Sequence, residues 1–267
     1  MTRPAAMSFF GGLSLSALAA VFAATPAATR SLSAIEMRGV ISLCAHPDAL
    51  PFASRKDNPP GFQVELAQAL AQRLGVSLDV AWVMSRVQFR AAECDIVLDT
   101  IVNREAQAET RMQVSKPYHR SGVALVLPAG VQGTSSFHDL DKSKRIGVQK
   151  GSLAQMILSQ RGHQTTPFDY EGEMVDALAE GSIDAAAISP ASAGFFNIRH
   201  PQQALRIVHA YDQEPELSWT VAVGMRGADT PLRQRIDAAI EQMLADGTIR
   251  TIYARYGVEH RPPVATK

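Results

Sequence analysis

The stretch Leu43–Gly75, LCAHPDALPFASRKDNPPGFQVELAQALAQRLG, decides the fold. It opens on an apolar strand, breaks at Pro47 and Pro51, and enters a helix at Gly61. Phe62, Leu66, Leu70 and Leu74 recur at fourfold spacing, which lays them along one helical face that must pack. Gly75 supplies the left-handed residue at which such a helix stops. Strand, loop and helix in this order are how an open α/β sheet presents a ligand-facing loop beyond a strand's carboxyl end. The loop His46–Phe52 is therefore the first candidate site, with Leu50 and Phe52 as an apolar wall and His46 and Asp48 as polar contacts. A place for Phe52 in the core is the equal alternative.

Outside this stretch, composition bounds the partners. Lys plus Arg equals Asp plus Glu, 26 each, so no global field draws the chain toward nucleic acid or anionic lipid. The first 28 residues are different material: Arg3 carries their only charge, and Phe9–Ala24 is apolar and rich in small residues. That is the layout of a cleavable secretory signal, which predicts a soluble exported product of about 240 residues. Export places Cys44 and Cys94 in an oxidising compartment, which favours pairing. Strand register argues the other way. If the two strands are parallel neighbours, Cys44 aligns near Leu98, roughly 13 Å of rise from Cys94. A disulfide and two buried thiols both stay open.

Strand patterns at Ile41–Ala45, Ser77–Trp82 and Asp95–Ile101 alternate with helical material and build a first α/β lobe. Ser121–Pro128 reads as one apolar strand. A second α/β set follows, with strands at Arg145–Gln149, Thr165–Phe168, Ile183–Ser189 and Arg206–His209. Leu217–Gly224 is another long apolar strand, followed by two helices. Thr230 is the expected N-cap of the first, with Pro231 at its first turn. The predicted architecture is two lobes joined by two strands. Residues 35–122 and 217–260 form the first lobe, 123–216 the second, and 261–267 a loose tail.

Four further stretches, KPYHRSG (116–122), RIGVQKGS (145–152), ALAEGSIDAAA (177–187) and MLADGTIRTIYARY (243–256), complete a pattern with the opening one. In order and spacing the chain resembles periplasmic solute-binding proteins of the polar-amino-acid type, from Gly39 to Gly257. The resemblance implies a type II periplasmic-binding fold, each lobe an open, mostly parallel sheet flanked by helices, with a two-strand hinge. It implies a monomer that closes on a small polar solute, uses no cofactor, catalyses nothing itself, and serves the membrane permease of an ABC-type importer. Ser121, in the KPYHRSG stretch, is a ligand candidate. Ser152 is another: free N–H groups at the start of its helix make an anion site, although Ser152 with Gln155 also forms a capping box.

The chain departs from the family pattern in three places. His46 stands where amino-acid binders carry an acidic residue. The arginine that clamps the ligand carboxylate has no Thr-x-Thr context here, which leaves Arg104 or Arg111 for that role. Ser189 stands where an aspartate holds the ligand ammonium. Without that carboxylate a buried ammonium lacks its counter-charge, so a standard α-amino acid is disfavoured. Cys44 in LCAHPDALPF, Cys94 before Asp95, and KPYHRS also resemble the solute-binding-like accessory proteins of periplasmic quinoprotein methanol dehydrogenases. That resemblance implies a dehydrogenase as the alternative partner. A third reading is a periplasmic dehydratase on the same fold, for which Glu214 and Glu216 are the candidate acids. No nucleophile elbow, zinc signature or phosphate loop occurs in the sequence.

Overall fold

The computed structural model describes residues 30–110 and 112–263. The expected signal segment 1–28, Arg111 and the last residues of the tail lie outside the described residues. The described residues open with α1 (Leu32–Arg38), β1 (Val40–Ala45), the short strands β2 (Asp48–Ala49) and β3 (Ala53–Ser54), and α2 (Phe62–Leu74). It continues through β4 (Ser77–Trp82), α3 (Arg86–Ala91), β5 (Ile96–Ile101), α4 (Arg104–Thr110), β6 (Met112–Val114) and β7 (His119–Gly122). Then come β8 (Ala124–Pro128), β9 (Arg145–Gln149), α5 (Leu153–Gln160), β10 (Gln164–Phe168), α6 (Glu171–Ala179), β11 (Ala185–Ile188), α7 (Pro190–Arg199) and β12 (Leu205–Val208). β13 (Ser218–Arg226), α8 (Thr230–Ala245) and α9 (Thr248–Arg255) complete the order.

Two sheets result. The first runs β4-β1-β5-β13-β6, with β7 also on β13; the second runs β10-β9-β11-β8-β12. Each holds three parallel strands, and β13 in one sheet and β8 in the other run antiparallel to their neighbours. The chain thus crosses between sheets twice, at Val123 and again just before Ser218. Ser121–Pro128 is therefore two strands rather than one. β7 (HRSG) is polar and half-buried and β8 (ALVLP) is apolar and buried, and hydropathy does not tell where the chain leaves one sheet for the other.

Each sheet has its own core. Phe62, Leu66, Leu70 and Leu74 of α2 are all buried against β1 and the helices α8 and α9. Burying side chains of this size contributes roughly 1.5–3 kcal/mol each. The second core gathers around Val126, Ile146, Leu158 and Met174. Helix α7 belongs to both: Ala193 and Phe196 pack into the second core, while Ala191 and Phe195 pack against the first. Phe195 lies 6.2 Å from the ring of Tyr256. Gly194 is seated so closely on Gly257 that a Cβ on it would stand 2.1 Å from the Gly257 carbonyl oxygen.

Three local expectations are corrected. Asp229, not Thr230, caps α8, its carboxylate accepting from Leu232 N at 2.8 Å, and Thr230 is the first helical residue. The tail is not loose at its start, because Arg261 pairs with Asp212 at 2.8 Å and its carbonyl accepts from Arg120 N. Cys44 and Cys94 form a disulfide with Cα atoms 5.5 Å apart. The register argument against it fails because Cys94 precedes β5, which pairs Ile96 with Leu43. Glu93, with φ at 47°, turns the chain there, so the rise per strand residue does not apply to Cys94.

Candidate ligand-binding cleft

Between the two sheets lies a cavity of about 220 Å³ walled by both. From the first lobe come the aromatic side chains Phe52, Phe62, Trp219 and Tyr253 and the polar groups Asp99, His119 and Ser121. The second lobe closes it with Glu171, Ser189 and Pro190. A larger hollow of about 400 Å³ opens on the outer face between α2 and α9. Its charges are already spent on each other, Arg73 on Asp246 and Arg255 on Glu65. The inner cavity is the better site, because apolar walls with a few converging polar groups are what a ligand pocket needs.

Local backbone chemistry places the aromatic wall. Phe52 N donates to Ala49 O, and Gln63 N returns to Phe52 O at 2.9 Å, so the loop is stitched onto the start of α2. Gly61 permits this contact: a Cβ there would lie 2.5 Å from Phe52 O, and its φ of 97° favours glycine. Its N–H donates to Tyr256 Oη at 3.0 Å, which ties the C-terminal helix to the same turn. Phe52 then rests 5.1 Å from Phe62, and Phe62 sits 5.0 Å edge-on to Tyr253.

The floor is a strand pair. Ser121 opposes Trp219 and His119 opposes Val221 in the antiparallel β7–β13 ladder. Alternation puts all four on one face, and that face is the cavity. The imidazole of His119 is buried, and its Nδ1 accepts from Arg261 N at 3.2 Å. The proton of the neutral ring therefore sits on Nε2, which has no hydrogen-bond partner within the described residues. Burial, then the neighbouring His260 and Arg261 charges, pushes this imidazole down to about 3. At neutral pH His119 is an uncharged donor.

Asp99 occupies a bulge. The β5–β13 pairing slips between Ala222 and Gly224, and Asp99 opposite has φ at 52°. Such a bulge re-aims a side chain. Here the Asp99 carboxylate accepts from Gln63 Nε2 and Tyr118 Oη, both at 2.8 Å, and from Tyr253 Oη at 3.3 Å. Burial raises its pKa and these three donors pull it back toward the charged form.

On the far wall, Glu171 is the first residue of α6 and Ser189 caps α7. Ser189 Oγ donates to Glu171 Oε2 at 2.5 Å and Ser189 N to Oε1 at 3.2 Å; Ser192 Oγ donates to Oε2 as well. The carboxylate absent from position 189 is thus supplied from position 171. That removes the premise that an ammonium here would lack a counter-charge.

Of the candidates read from the sequence, Phe52, Ser121 and Ser189 line the cavity. His46, Asp48 and Leu50 do not; His46 Nδ1 instead accepts from Asp48 N at 3.1 Å, a contact internal to the loop. Arg104 is exposed on α4 and does not line the cavity. Ser152 caps α5, accepting from Gln155 N at 3.1 Å, while Gly151 rather than Ser152 donates back to Gln155 Oε1. Glu214 is buried in a two-point pair with Arg161, both contacts at 2.8 Å, and exposed Glu216 lies 3.9 Å from the same guanidinium. Neither lines the cavity.

Two facing sheets, two crossings and a cavity walled from both sides define a two-lobed solute-binding protein of type II. Residues 41–259 match the model for bacterial extracellular solute-binding proteins, family 3, and the chain belongs to that family. It is 27% identical over 243 residues to membrane-bound lytic murein transglycosylase F of Desulfosudis oleivorans, covering 85% of this chain but only 50% of that protein. The chain therefore spans half the length of that relative. Among solved structures, the ancestral cationic amino acid solute-binding protein AncCDT-1 superposes with a TM-score of 0.73 at 22% identity, over 85% of this chain and 99% of that one. The periplasmic binding protein XoxJ from Methylobacterium extorquens AM1 gives 0.67 at 22% identity, over 84% and 100%. At those identities the two structures share the fold.

Proposed function

We propose that this chain is an exported binding protein whose lobes close on a small polar solute and present the closed form to a membrane importer. The observation that carries this is the shared cavity: Asp99 and His119 come from one lobe, Glu171 and Ser189 from the other. Neither set makes a site alone, so closure and binding are one event. The apolar stretch at 9–24 supports export to the periplasm. A thermal-shift panel of amino acids, amines and sugars tests the reading, with small-angle scattering on any hit. A solute at 100 times its dissociation constant adds ~2.7 kcal/mol of stability. A hit without compaction of the particle would count against closure.

A second reading gives the chain a periplasmic quinoprotein dehydrogenase as partner. The Cys44–Cys94 disulfide supports it, since those cysteines carry the narrower resemblance. Capture of a quinoprotein from periplasmic extract, undiminished by Glu171→Gln, would favour it over import.

A further inference from the structure

We infer that the cavity selects a small organic cation that carries a neutral oxygen and no carboxylate; the inference rests on the solute-binding reading and names its ligand class. The charge at the walls comes first. Asp99 and Glu171 face the cavity from opposite lobes, and no lysine or arginine lines it among the described residues. Neither carboxylate has an ion-pair partner there: Asp99 takes its hydrogen bonds from Gln63 and two tyrosines, Glu171 from two serines. The nearby guanidiniums of Arg120 and Arg261 are both committed to Asp212, at 2.7 and 2.8 Å. An entering cation therefore gains two partners. A carboxylate entering with it finds no cationic donor among the described residues and two like charges in a space where water screens poorly.

The walls point the same way. Phe52, Phe62, Trp219 and Tyr253 offer ring faces and edges, and a desolvated cation over such a face is held by the ring quadrupole. The remaining polar groups are neutral. His119 Nε2 is a donor with no partner in the described residues, and the Ser121 hydroxyl makes no side-chain hydrogen bond among them. Both suit a hydroxyl or carbonyl oxygen on the ligand. At about 220 Å³ the space lies below the ~300–1,000 Å³ of pockets for drug-sized ligands, so the cation is small.

Matched pairs test this on the full chain purified from the periplasm. L-Serine adds a carboxylate to ethanolamine, and glycine betaine carries a carboxylate in place of choline's hydroxymethyl group; titration calorimetry reads each difference. The expected result is that ethanolamine or choline binds at least tenfold tighter than its carboxylated partner. Glu171→Gln should weaken that binding at least tenfold. Tighter binding of L-serine or betaine, or a response only to neutral sugars, overturns the cation assignment and leaves the solute-binding reading standing. No response to any amine, amino acid or sugar, with an unchanged scattering curve, overturns both. The wild-type pairs decide even if the variant folds poorly.

Discussion

Ser189 Oγ and Glu171 Oε2 meet at 2.5 Å, where the N-terminus of α7 faces the first turn of α6. The contact joins the turns that follow β10 and β11, which flank β9 in the second sheet. It holds a carboxylate against a helix N-terminus, where the backbone dipole favours negative charge. Ser189→Ala removes both this donor and the α7 cap, so it should cost ~1 kcal/mol of stability. Because Glu171 then keeps only Ser189 N and Ser192 Oγ and is held less firmly, ligand affinity should also fall several-fold. A double-mutant cycle of Ser189→Ala with Glu171→Gln checks the link: strictly additive losses in affinity would show that the two do not act together.

His119 makes the fold sensitive to acid. Its imidazole titrates near 6.5 when unfolded and at about 3 in the fold, where it packs among His260, Arg261, His209 and the Tyr253 ring. Below pH 6.5 the unfolded chain takes up a proton that the folded ring refuses. Stability present above that value is therefore lost as pH falls toward 3. Between pH 7 and pH 5 this residue alone should remove about 2 kcal/mol. Urea midpoints at the two pH values measure it, and His119→Gln should flatten the difference; an unaltered slope would clear His119 of the effect.

The disulfide spans 50 residues of sequence, from β1 to the turn before β5. Restricting an unfolded loop of that length contributes on the order of 4 kcal/mol. Reduction should lower the denaturant midpoint by a corresponding amount with little change in ligand affinity at low temperature, since neither cysteine lines the cavity. Loss of binding before loss of fold would mean that the bond also shapes the site.

Glu214 is 2% exposed and depends on Arg161. Arg161→Ala leaves that carboxylate buried without its guanidinium and should destabilise the chain by ~3–5 kcal/mol. Ligand titration of the variant below its melting temperature should match wild type. A turnover defect in any reaction, with stability intact, would instead return Glu214 to the list of catalytic acids.

Gly194→Ala tests the seat between the lobes. In a helix interior the change alone favours folding by roughly 1 kcal/mol. Here the new Cβ meets the Gly257 carbonyl at 2.1 Å, so α7 must back away from the first lobe. Affinity should drop about tenfold while the melting temperature of the unliganded protein stays near wild type. Unchanged affinity would mean that this seat plays no part in holding the cleft.

Much of this was readable in the residues. The β1–loop–α2 unit follows from fourfold spacing and a stop glycine, and both sheets follow from alternating strand and helix patterns. The site was readable only in part, because it depends on contacts between distant residues. Glu171 is one of two acids at the start of an amphipathic helix, and only the β10-β9-β11 order brings it to Ser189, 18 residues on. Asp99 sits in an apolar strand where an acid looks out of place, and that oddity was the one available signal. His46 and Asp48 follow the right strand but turn onto each other, a choice made by loop hydrogen bonds rather than by composition.

Helix α7 packs on both cores, and most of that packing involves residues that do not line the cavity. Contacts such as Phe195 on Tyr256 contribute equally whatever solute is present, and they favour the joined arrangement of the lobes. Apparent affinity scales with the fraction of molecules in the competent arrangement. The strength of retention and the choice of solute are therefore set by different residues. Substitutions along α7 would retune how long a solute is held, for a richer or poorer environment, without altering which solute is admitted.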